Sequence, residues 1–236
     1  MLDELAAFGP FFAVGSHPPG AAPVPPWRLV SELTTPSERL SERIAAVRAA
    51  MAARTGLPAG DIDPRAAASA VQFGVLARLV APALGAAVLG WRLDMPPAEL
   101  WWRDETGGPV PLSVPAPPAS RAEPGEWDQR LLDELIGPVT AATAALVPLS
   151  GRVLWGNVAS AVNAAAIQVA SQRPDLAAGA WRAAARLFAS PRLSTEREQP
   201  GPAFRRSSCC LFYRLVPGGG PAALCGNCVL VRRSTR

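Results

Sequence analysis

Twenty consecutive residues in the first half of the chain read VQFGVLARLVAPALGAAVLG (71–90) and are almost entirely apolar. Their number is sufficient to span a bilayer, but Arg78 lies near the centre of the run and Pro82 interrupts it. An Arg at the centre of a membrane helix costs about 2.5–3.5 kcal/mol on insertion scales. The stretch is therefore predicted to form a pair of buried helices in a globular core, and no transmembrane segment is expected.

Helical signals precede this stretch. The sequence TPSE (Thr35–Glu38) has the form of a capping box, with Pro36 at the first helical position, and it is followed by a periodic apolar pattern. Asp63 and Pro64 are predicted to start a second helix that runs to about residue 80. Pro82 is predicted to start a short third helix, because proline is tolerated in a first turn but not in a helix interior.

Helical signals also follow it. Three further helices are predicted at 127–147 with an interruption at Gly137-Pro138, at 151–171 with Ser150 as N-cap, and at 174–189 with Pro174 at the start. The sequence therefore indicates a mainly α-helical body.

Two stretches break the helical pattern. ELWWRDETGGPVPLSV (99–114) is predicted to form a β-hairpin near 100–114, with strands at 100–103 and 109–114. PAPPASRAEPGE (115–126) is typical of a linker. The predicted fold is an α-helical body over 1–200, with this short hairpin and linker, and a small C-terminal cysteine-rich segment over 201–236.

Composition and charge limit the classes of protein. Apolar residues are 49% of the chain and charged residues 18%, which excludes a disordered chain. Residues 1–200 carry a net charge of −2, whereas 201–236 carry +6 and no acidic residue. Such a basic segment could bind nucleic acid or an acidic protein, or it could balance the negative charge of a group held by thiolates. Because Asp3 and Glu4 stand where a secretory signal is positively charged, no signal peptide and a cytoplasmic location are expected.

All four cysteines lie in SSCCLFYRLVPGGGPAALCGNCVL (207–230), where Cys209 and Cys210 are adjacent and Cys225 and Cys228 form a CxxC. Stable disulfides are rare in the cytoplasm, so a metal site is the favoured interpretation. A tetrahedral zinc site uses paired ligands such as C-x₂₋₄-C, which the CxxC fits and the adjacent pair does not. A [2Fe–2S] cluster shares four thiolates between two irons, so its ligand pairs need not converge on one centre.

Several possibilities remain open at this point. The adjacent cysteines could bind one iron together, or each could bind a different iron. A Rieske centre needs two His ligands. The chain contains one His, so this type of centre is excluded. That residue, His17, is predicted to lie in a loop. No G-x-G-x-x-G fingerprint follows a predicted strand, so the chain is not expected to bind NAD(P)H itself.

The sequence RRSSCCLFYRLVPGGG (205–220), followed by CGNCVL (225–230), closely resembles the C-terminal signature of siderophore-iron reductases of the ferric hydroxamate (FhuF) type. Two upstream stretches, SGRVLWGNVASAV (150–162) and LARLVAPALGAAVLG (76–90), are similar as well. The resemblance covers roughly residues 70–236, and only the cysteine motif is highly specific. It implies that the ligands of a [2Fe–2S] cluster are Cys209, Cys210, Cys225 and Cys228.

The spacing of the motif departs from the family pattern. Fourteen residues, LFYRLVPGGGPAAL (211–224), separate the adjacent cysteines from the CxxC. The family usually has about ten, and a loop that is slightly longer adds little closure entropy. The extra residues follow the glycine run, where a turn can bulge without moving the ligands. Cluster binding is therefore expected to be retained.

The resemblance also implies a function. The protein would be an oxidoreductase that takes an electron from a ferredoxin-like or other reductase donor and passes it to a ferric siderophore of the hydroxamate type. The arginines of the segment would stabilise a negatively charged cluster, or dock an acidic donor. The helical body would hold the siderophore, and candidate side chains for contacting it are Trp101, Trp102, Trp155, Asn157 and Arg78. A peripheral association with the membrane is compatible with this role.

The alternative is a Cys₄ zinc module whose basic tail contacts nucleic acid or an acidic protein. The tail has no recognisable helix for a DNA groove and few aromatic residues for stacking. Nucleic acid is therefore not an expected partner.

Overall fold

The longest element of the structure is helix α3, which runs over 25 residues (Pro64–Val88) through the centre of the protein. The computed structural model describes residues 1–121, 126–193, 199–216 and 224–231, without the side chains of residues 121, 126 and 127. Asp63 caps α3 by accepting a hydrogen bond from the Arg65 amide, and Pro64 occupies the first turn. Over positions 66–86, side chains on nearly every side of α3 are buried inside the protein.

The prediction of two separate helices in this region is wrong, because α3 continues through Pro82. A proline at this position removes the hydrogen bond that would reach the carbonyl group of Arg78. Helix α3 nevertheless packs against other elements on most of its surface. Tertiary packing supplies most of the stability of protein helices, and it outweighs the local preference here.

Arg78 is buried inside the protein and bonds only to backbone carbonyl groups among the contacts described. Its Nε donates to Val110 O at 2.6 Å, its Nη2 donates to Ala13 O at 2.6 Å, and its Nη1 donates to Phe11 O. Burial lowers the pKa of the Arg78 guanidinium to about 10. This side chain therefore connects α3 to the N-terminal loop and to the hairpin, and it does not face a ligand site.

Six further α-helices surround α3 in the described part of the chain. Their bounds are α1 (Leu2–Ala6), α2 (Glu38–Thr55), α4 (Glu126–Arg130), α5 (Gly137–Leu146), α6 (Gly151–Gln172) and α7 (Ala177–Phe188). Helix α6 packs along α3, and α7 packs on α6. The predicted mainly α-helical fold is confirmed. Ser150 caps α6 as predicted, by accepting a hydrogen bond from the Val153 amide.

Two details of the helix predictions are wrong. Helix α2 is capped by Ser37 and not by Thr35, since Ser37 Oγ accepts from the Leu40 amide at 3.2 Å. The helical path around Gly137 is not interrupted, because a π-helical turn (Leu131–Ile136) joins α4 to α5. A Cβ atom at Gly137 would collide with the guanidinium of Arg192, so glycine is needed there for close packing.

The predicted β-hairpin is present and forms the centre of a four-stranded sheet. Its strands, β4 (Trp101–Arg103) and β5 (Leu112–Pro115), are antiparallel, with Trp102 opposite Leu112. Strand β1 (Gly15–His17) runs parallel to β5, and β2 (Trp27–Leu29) runs antiparallel to β4. The order is β1-β5-β4-β2.

A second pair of strands involves the region predicted to be a linker. Strand β3 (Trp91–Leu93) pairs antiparallel with β6 (Ala119–Arg121). The range 115–126 thus begins with strand residues, and positions 122–125 lie outside the described residues. The division of the chain at residue 200 stays a prediction.

His17 is not a loop residue, which corrects the prediction. It ends β1 in a buried position, its Nδ1 lies 2.9 Å from Ser113 Oγ, and its ring stacks on Trp101 with 3.6 Å between the centroids. Trp102 is fully buried, and its Nε1 donates to Leu29 O. Trp101 and Trp102 are therefore core residues. Trp155 is half-buried against the core, with the Arg192 guanidinium over its ring.

Helices α3 and α6 are each long and apolar enough to cross a membrane. In both helices most of the apolar window, 78% in α3 and 67% in α6, is buried inside the protein. Such burial is typical of the core helices of soluble proteins, in agreement with the prediction for residues 71–90.

Candidate metal centre

The cysteine segment, defined here as residues 199–216 and 224–231, lies on helices α3 and α6. Its start is fixed by a hydrogen bond from the Gly201 amide to Asn163 Oδ1 at 2.7 Å, and by the buried ring of Phe204. Ser208 Oγ then donates to the carbonyl oxygen of Arg152 in the first turn of α6. Cys209 and Cys210 follow at once, so their position is set by the body.

All four cysteines are free thiols, and the structure brings two of their sulfur atoms into contact. Cys210 and Cys228 are buried, whereas Cys209 and Cys225 are half-buried. The sulfur atoms of Cys210 and Cys225 are 3.4 Å apart. Cys209 and Cys225 both interact electrostatically with Cys228. The CxxC forms a tight turn in which the Cys228 amide donates to Cys225 O at 3.0 Å.

Backbone amides point at two of the sulfur atoms. The Leu211 amide lies 3.4 Å from Cys209 Sγ and the Leu230 amide lies 3.3 Å from Cys228 Sγ, and the Phe212 amide contributes to lowering the pKa of Cys210. Leu211 has a φ of 67°, which turns the chain so that successive amides face back toward the cysteines. Hydrogen bonds to sulfur tune the potential of iron–sulfur centres, so this backbone suits such a ligand set.

The surroundings favour a thiolate at Cys210. The hydrogen bond that Cys210 shares with Cys225 lowers the pKa of the Cys210 thiol to about 6. The same hydrogen bond, together with burial, raises the pKa of Cys225. Burial also raises the pKa of Cys209. The positive charge of Arg206 acts in the opposite direction on Cys209 and Cys225, and it supports the thiolate of Cys210.

Arg206 is a buried cation between the cysteine segment and α6. Its Nη1 donates to Asn157 Oδ1 at 2.7 Å, its Nη2 donates to Val153 O at 3.1 Å, and its Nε donates to Ser208 O at 3.1 Å. Buried charges need such hydrogen bonds to offset the loss of water. The guanidinium therefore holds a fixed positive charge beside the thiols.

Asn157 does not present its amide to a ligand site, which corrects the expectation. It is completely buried, and its Nδ2 donates to Ser69 Oγ at 2.9 Å and to Gln72 Oε1 at 2.8 Å. Ser69 Oγ in turn donates to the carbonyl oxygen of Cys210 at 2.8 Å. A buried polar network thus runs from Arg206 through Asn157 and Ser69 to the backbone of Cys210.

Sequence reasoning missed Ser69, Gln72 and Arg206 as members of this network. The available signal was the placement of polar residues within apolar helices: Ser69 and Gln72 are three positions apart on α3, and Asn157 lies in α6. Residues three apart share one face of a helix. Which partner that face meets depends on how α3 and α6 pack.

The other two arginines in the described part of the segment also contact the protein. Arg205 Nη1 donates to Cys228 O at 3.2 Å, and Arg214 Nη1 forms a 2.8 Å ion pair with Asp63 Oδ2. Burial alone would raise the pKa of Asp63, but hydrogen bonds from Arg214 and Arg65 lower it to about 2. Arg214 therefore links the segment to the N-cap of α3. Arg232, Arg233 and Arg236 lie outside the described residues.

Four cysteine thiols are a donor set that both zinc sites and iron–sulfur clusters use. Among the described residues, no group of three or more His, Cys, Asp or Glu side chains is arranged to hold a metal ion. A zinc site requires four ligands around one centre. A [2Fe–2S] cluster instead takes four thiolates in two pairs, and the close pair of Cys210 and Cys225, the amides directed at sulfur atoms and the buried Arg206 suit such a ligand set. The residues that could hold the cluster are Cys209, Cys210, Cys225 and Cys228.

Comparison with known protein families supports the interpretation of the cysteine segment. Residues 206–230 match the family model described as the FhuF 2Fe-2S C-terminal domain. No curated protein and no solved structure matches the chain significantly. The matched range contains all four cysteines and the buried Arg206. The resemblance to the siderophore-iron reductases and the predicted [2Fe–2S] cofactor are thereby confirmed: residues 206–230 are similar to the 2Fe-2S-binding C-terminal domain of the FhuF family.

Proposed function

We propose that this protein is an iron–sulfur ferric-siderophore reductase that acts on complexes of the hydroxamate type and releases Fe(II) for iron acquisition. The observation that carries the proposal is the match of residues 206–230 to the FhuF 2Fe-2S C-terminal domain. The four cysteines, Cys209, Cys210, Cys225 and Cys228, are the proposed ligands. A [2Fe–2S] cluster supplies one electron at a time, which is the electron count needed to convert Fe(III) to Fe(II).

The residues of this chain have definite tasks in the proposal. The amides of Leu211 and Leu230 point at sulfur atoms, and the positive charge of Arg206 acts on three of the thiols, so both stabilise negative charge there. Ser69 fixes the backbone of Cys210 to α3. The electron comes from a ferredoxin-like or similar reduced protein. Ferrous iron is held weakly by hard oxygen ligands, so reduction is sufficient to release it.

The charges of the two main kinds of ferric siderophore support a preference for hydroxamates over catecholates. Three hydroxamate groups cancel the charge of Fe(III), whereas three catecholate groups leave a strongly anionic complex. Residues 1–200, which are proposed to hold the substrate, carry a net charge of −2. The positive charge of the molecule is concentrated in residues 201–236, so the body itself offers no excess of cations for contacting an anionic complex. This balance supports the hydroxamate class.

The proposed location is the cytoplasm, since the cysteines are free thiols and the two longest apolar helices are mostly buried. A peripheral contact with the membrane is compatible with the exposed side chains of Val229 and Leu230. The arginines of the described segment contact the protein itself instead of forming a basic stripe, so nucleic acid is not a proposed partner.

The experiment that tests the function starts from protein purified without oxygen. We expect two irons and two inorganic sulfides per chain, the composition of one [2Fe–2S] cluster. The reduced protein is mixed with a ferric trihydroxamate, and Fe(II) is followed with a trapping chelator. Stoichiometric zinc without sulfide would refute the cofactor, and a reduced cluster that releases no Fe(II) would refute the activity.

A further inference from the structure

Two cavities adjoin on one side of α3. The larger, of about 420 Å³, lies between residues 8–12, α3 and α6. The smaller, of about 240 Å³, lies between α2, α3 and the hairpin turn. Phe11 and Phe73 line both cavities. Together the two cavities form one feature, called the α3 groove, with these two aromatic side chains at its middle.

The floor of the α3 groove consists of small residues. Ala70, Gly74, Ala77 and Ala81 follow one another at intervals of four, three and four residues, and each lines one of the cavities. This spacing places them on a single face of α3. A Cβ atom at Gly74 would meet no heavy atom within 4 Å. Glycine in a helix interior is destabilising by about 1 kcal/mol relative to alanine, and here it leaves open space in the groove.

The walls of the groove carry no net charge among the residues described. The larger cavity is lined by apolar side chains and Gln168, which donates to the carbonyl oxygen of Phe8. In the smaller cavity, Arg43 is paired with Asp104, and Glu105 is paired with Arg103 at 2.5 Å. Such a surface suits an uncharged ligand with hydrocarbon on its outside, because it offers no counter-ion for a charged one.

One contact joins the α3 groove to the cysteine segment. The ring of Phe73 packs edge-on against the ring of Phe212, with 5.6 Å between the centroids and an angle of 75°. Phe212 follows Cys210 in the chain by two positions. Along this line of contacts, two residues, Phe73 and Phe212, lie between a ligand in the groove and Cys210.

We propose that the α3 groove is the site where the ferric substrate binds, with Phe73 between the substrate and the cysteine segment. This inference rests on the proposed function. The reaction at this site transfers one electron from the reduced cluster to Fe(III), gives Fe(II) and the oxidised cluster, and forms no bond to the protein. A neutral ferric trihydroxamate has the charge that the groove accommodates.

The test fills the groove at Gly74. We expect Gly74→Leu to weaken binding of the redox-inert gallium(III) complex of a neutral cyclic trihydroxamate by roughly tenfold or more, since a leucine side chain occupies the open space. Binding is measured by titration calorimetry. The same variant is expected to raise KM for the ferric complex while the iron content, sulfide content and visible spectrum match those of the wild type.

Two matched variants control for effects on folding. Gly74→Ala keeps the groove open and is expected to bind the gallium complex as the wild type does. Gly60→Leu places the same side chain at an exposed glycine that also has open space around its Cβ position. Wild-type binding and KM in a folded Gly74→Leu protein would overturn the groove as the substrate site and leave the reductase function standing. A loaded wild type that releases no Fe(II) would overturn the function itself.

A second inference concerns the ligand pairs and rests on the sulfur positions. Two thiolates on one tetrahedral metal with metal–sulfur distances of about 2.3 Å are separated by ~3.8 Å. The Cys210 and Cys225 sulfur atoms are 3.4 Å apart. We infer that Cys210 and Cys225 bind one iron and that Cys209 and Cys228 bind the other. The adjacent cysteines would then bind different irons.

The pairing is tested in two ways. Mild oxidation of the cluster-free protein is expected to yield mainly a Cys210–Cys225 disulfide, identified by peptide mass spectrometry. In the cluster-free Cys209→Ser variant the same disulfide is expected to form, because Cys210 and Cys225 keep their contact. A dominant Cys225–Cys228 disulfide in the wild type, or loss of the Cys210–Cys225 disulfide in Cys209→Ser, would overturn the inferred pairs.

Discussion

Arg206 in the cysteine segment donates a hydrogen bond of 2.7 Å from Nη1 to Oδ1 of Asn157 in the middle of α6, and both side chains are buried. The amide of Asn157 is also bonded to α3 through Ser69 and Gln72. The Asn157 side chain thus connects the cysteine segment, α6 and α3. Loss of this side chain would leave the Arg206 cation without one of its hydrogen-bond acceptors.

We expect Asn157→Ala to lower the free energy of unfolding by about 2–3 kcal/mol, because hydrogen bonds to a buried charged group contribute more than neutral ones. The measurement is urea unfolding of protein prepared without oxygen. Asn163→Ala is the matched control, since Asn163 is also buried in α6 but accepts only from the Gly201 amide among the described contacts. Equal effects of the two substitutions would contradict a special role for Asn157.

Removing the charge of Arg206 should lower the reduction potential of the centre. Arg206→Gln takes a positive charge away from the sulfur atoms of Cys209, Cys210 and Cys225, so the more negative reduced state loses stabilisation. We expect a fall of some tens of millivolts in a redox titration followed by the visible spectrum. Arg206→Lys keeps the charge and should lie closer to the wild type. An unchanged potential in Arg206→Gln would show that the guanidinium acts only through packing.

Cys225→Ser is expected to abolish Fe(II) release and to leave substrate binding largely intact. Serine is nearly isosteric with cysteine but is a poor ligand for this cluster, and the substrate site is proposed to lie in the helical body. Release is followed with a trapping chelator, and binding is followed by tryptophan fluorescence. Iron release at the wild-type rate would mean that the electron does not pass through the cluster.

The four extra residues in the spacer allow a deletion test. Removing residues 221–224 would restore the spacing usual in the family, and we expect the visible absorption of the cluster to persist because loop length contributes little to closure entropy. Residues 221–223 lie outside the described residues. A folded deletion protein without visible absorption would show that these residues shape the centre.

The ion pair of Asp63 with Arg214 gives a pH-dependent prediction. The folded-state pKa of Asp63 is lowered to about 2 from an ordinary value of 3.8, so the pair contributes stability above pH 3.8 that is lost as the pH falls toward 2. Asp63→Asn keeps an N-cap residue but removes the charge. In cluster-free protein we expect it to cost at most about 1 kcal/mol at pH 6, as for a partly exposed pair. The difference in unfolding free energy between the wild type and Asp63→Asn should shrink toward pH 2. A difference that stays constant with pH would show that Asp63 acts through the N-cap of α3 and not through its charge.

The features predicted correctly from the sequence depend on neighbouring residues. The cap of α6 at Ser150 and the hairpin of β4 and β5 both follow from short local patterns. The four cysteines were found because all of them lie in one motif. The prediction that Pro82 starts a new helix was wrong. The preference of proline for a first turn is outweighed by packing on most of the surface of α3.

The surroundings of His17 and the buried polar network could not be predicted from neighbouring residues in the sequence. His17 is ordered by Trp101 and Ser113, which are far away in the sequence. The network of Ser69, Asn157 and Arg206 exists only when α3, α6 and the cysteine segment are assembled. Polar residues in apolar helices indicate that a buried partner is needed, but the sequence does not identify that partner.

The hydrogen bond from Ser69 to the carbonyl oxygen of Cys210 spans 141 positions of the chain. A contact of this separation forms only after the intervening chain has been brought together, at the entropic cost of closing a long loop. During synthesis the cysteines leave the ribosome after the helices that receive them. The body that positions the cysteines can therefore assemble from residues synthesised before them, and we expect the cluster-free protein to be folded.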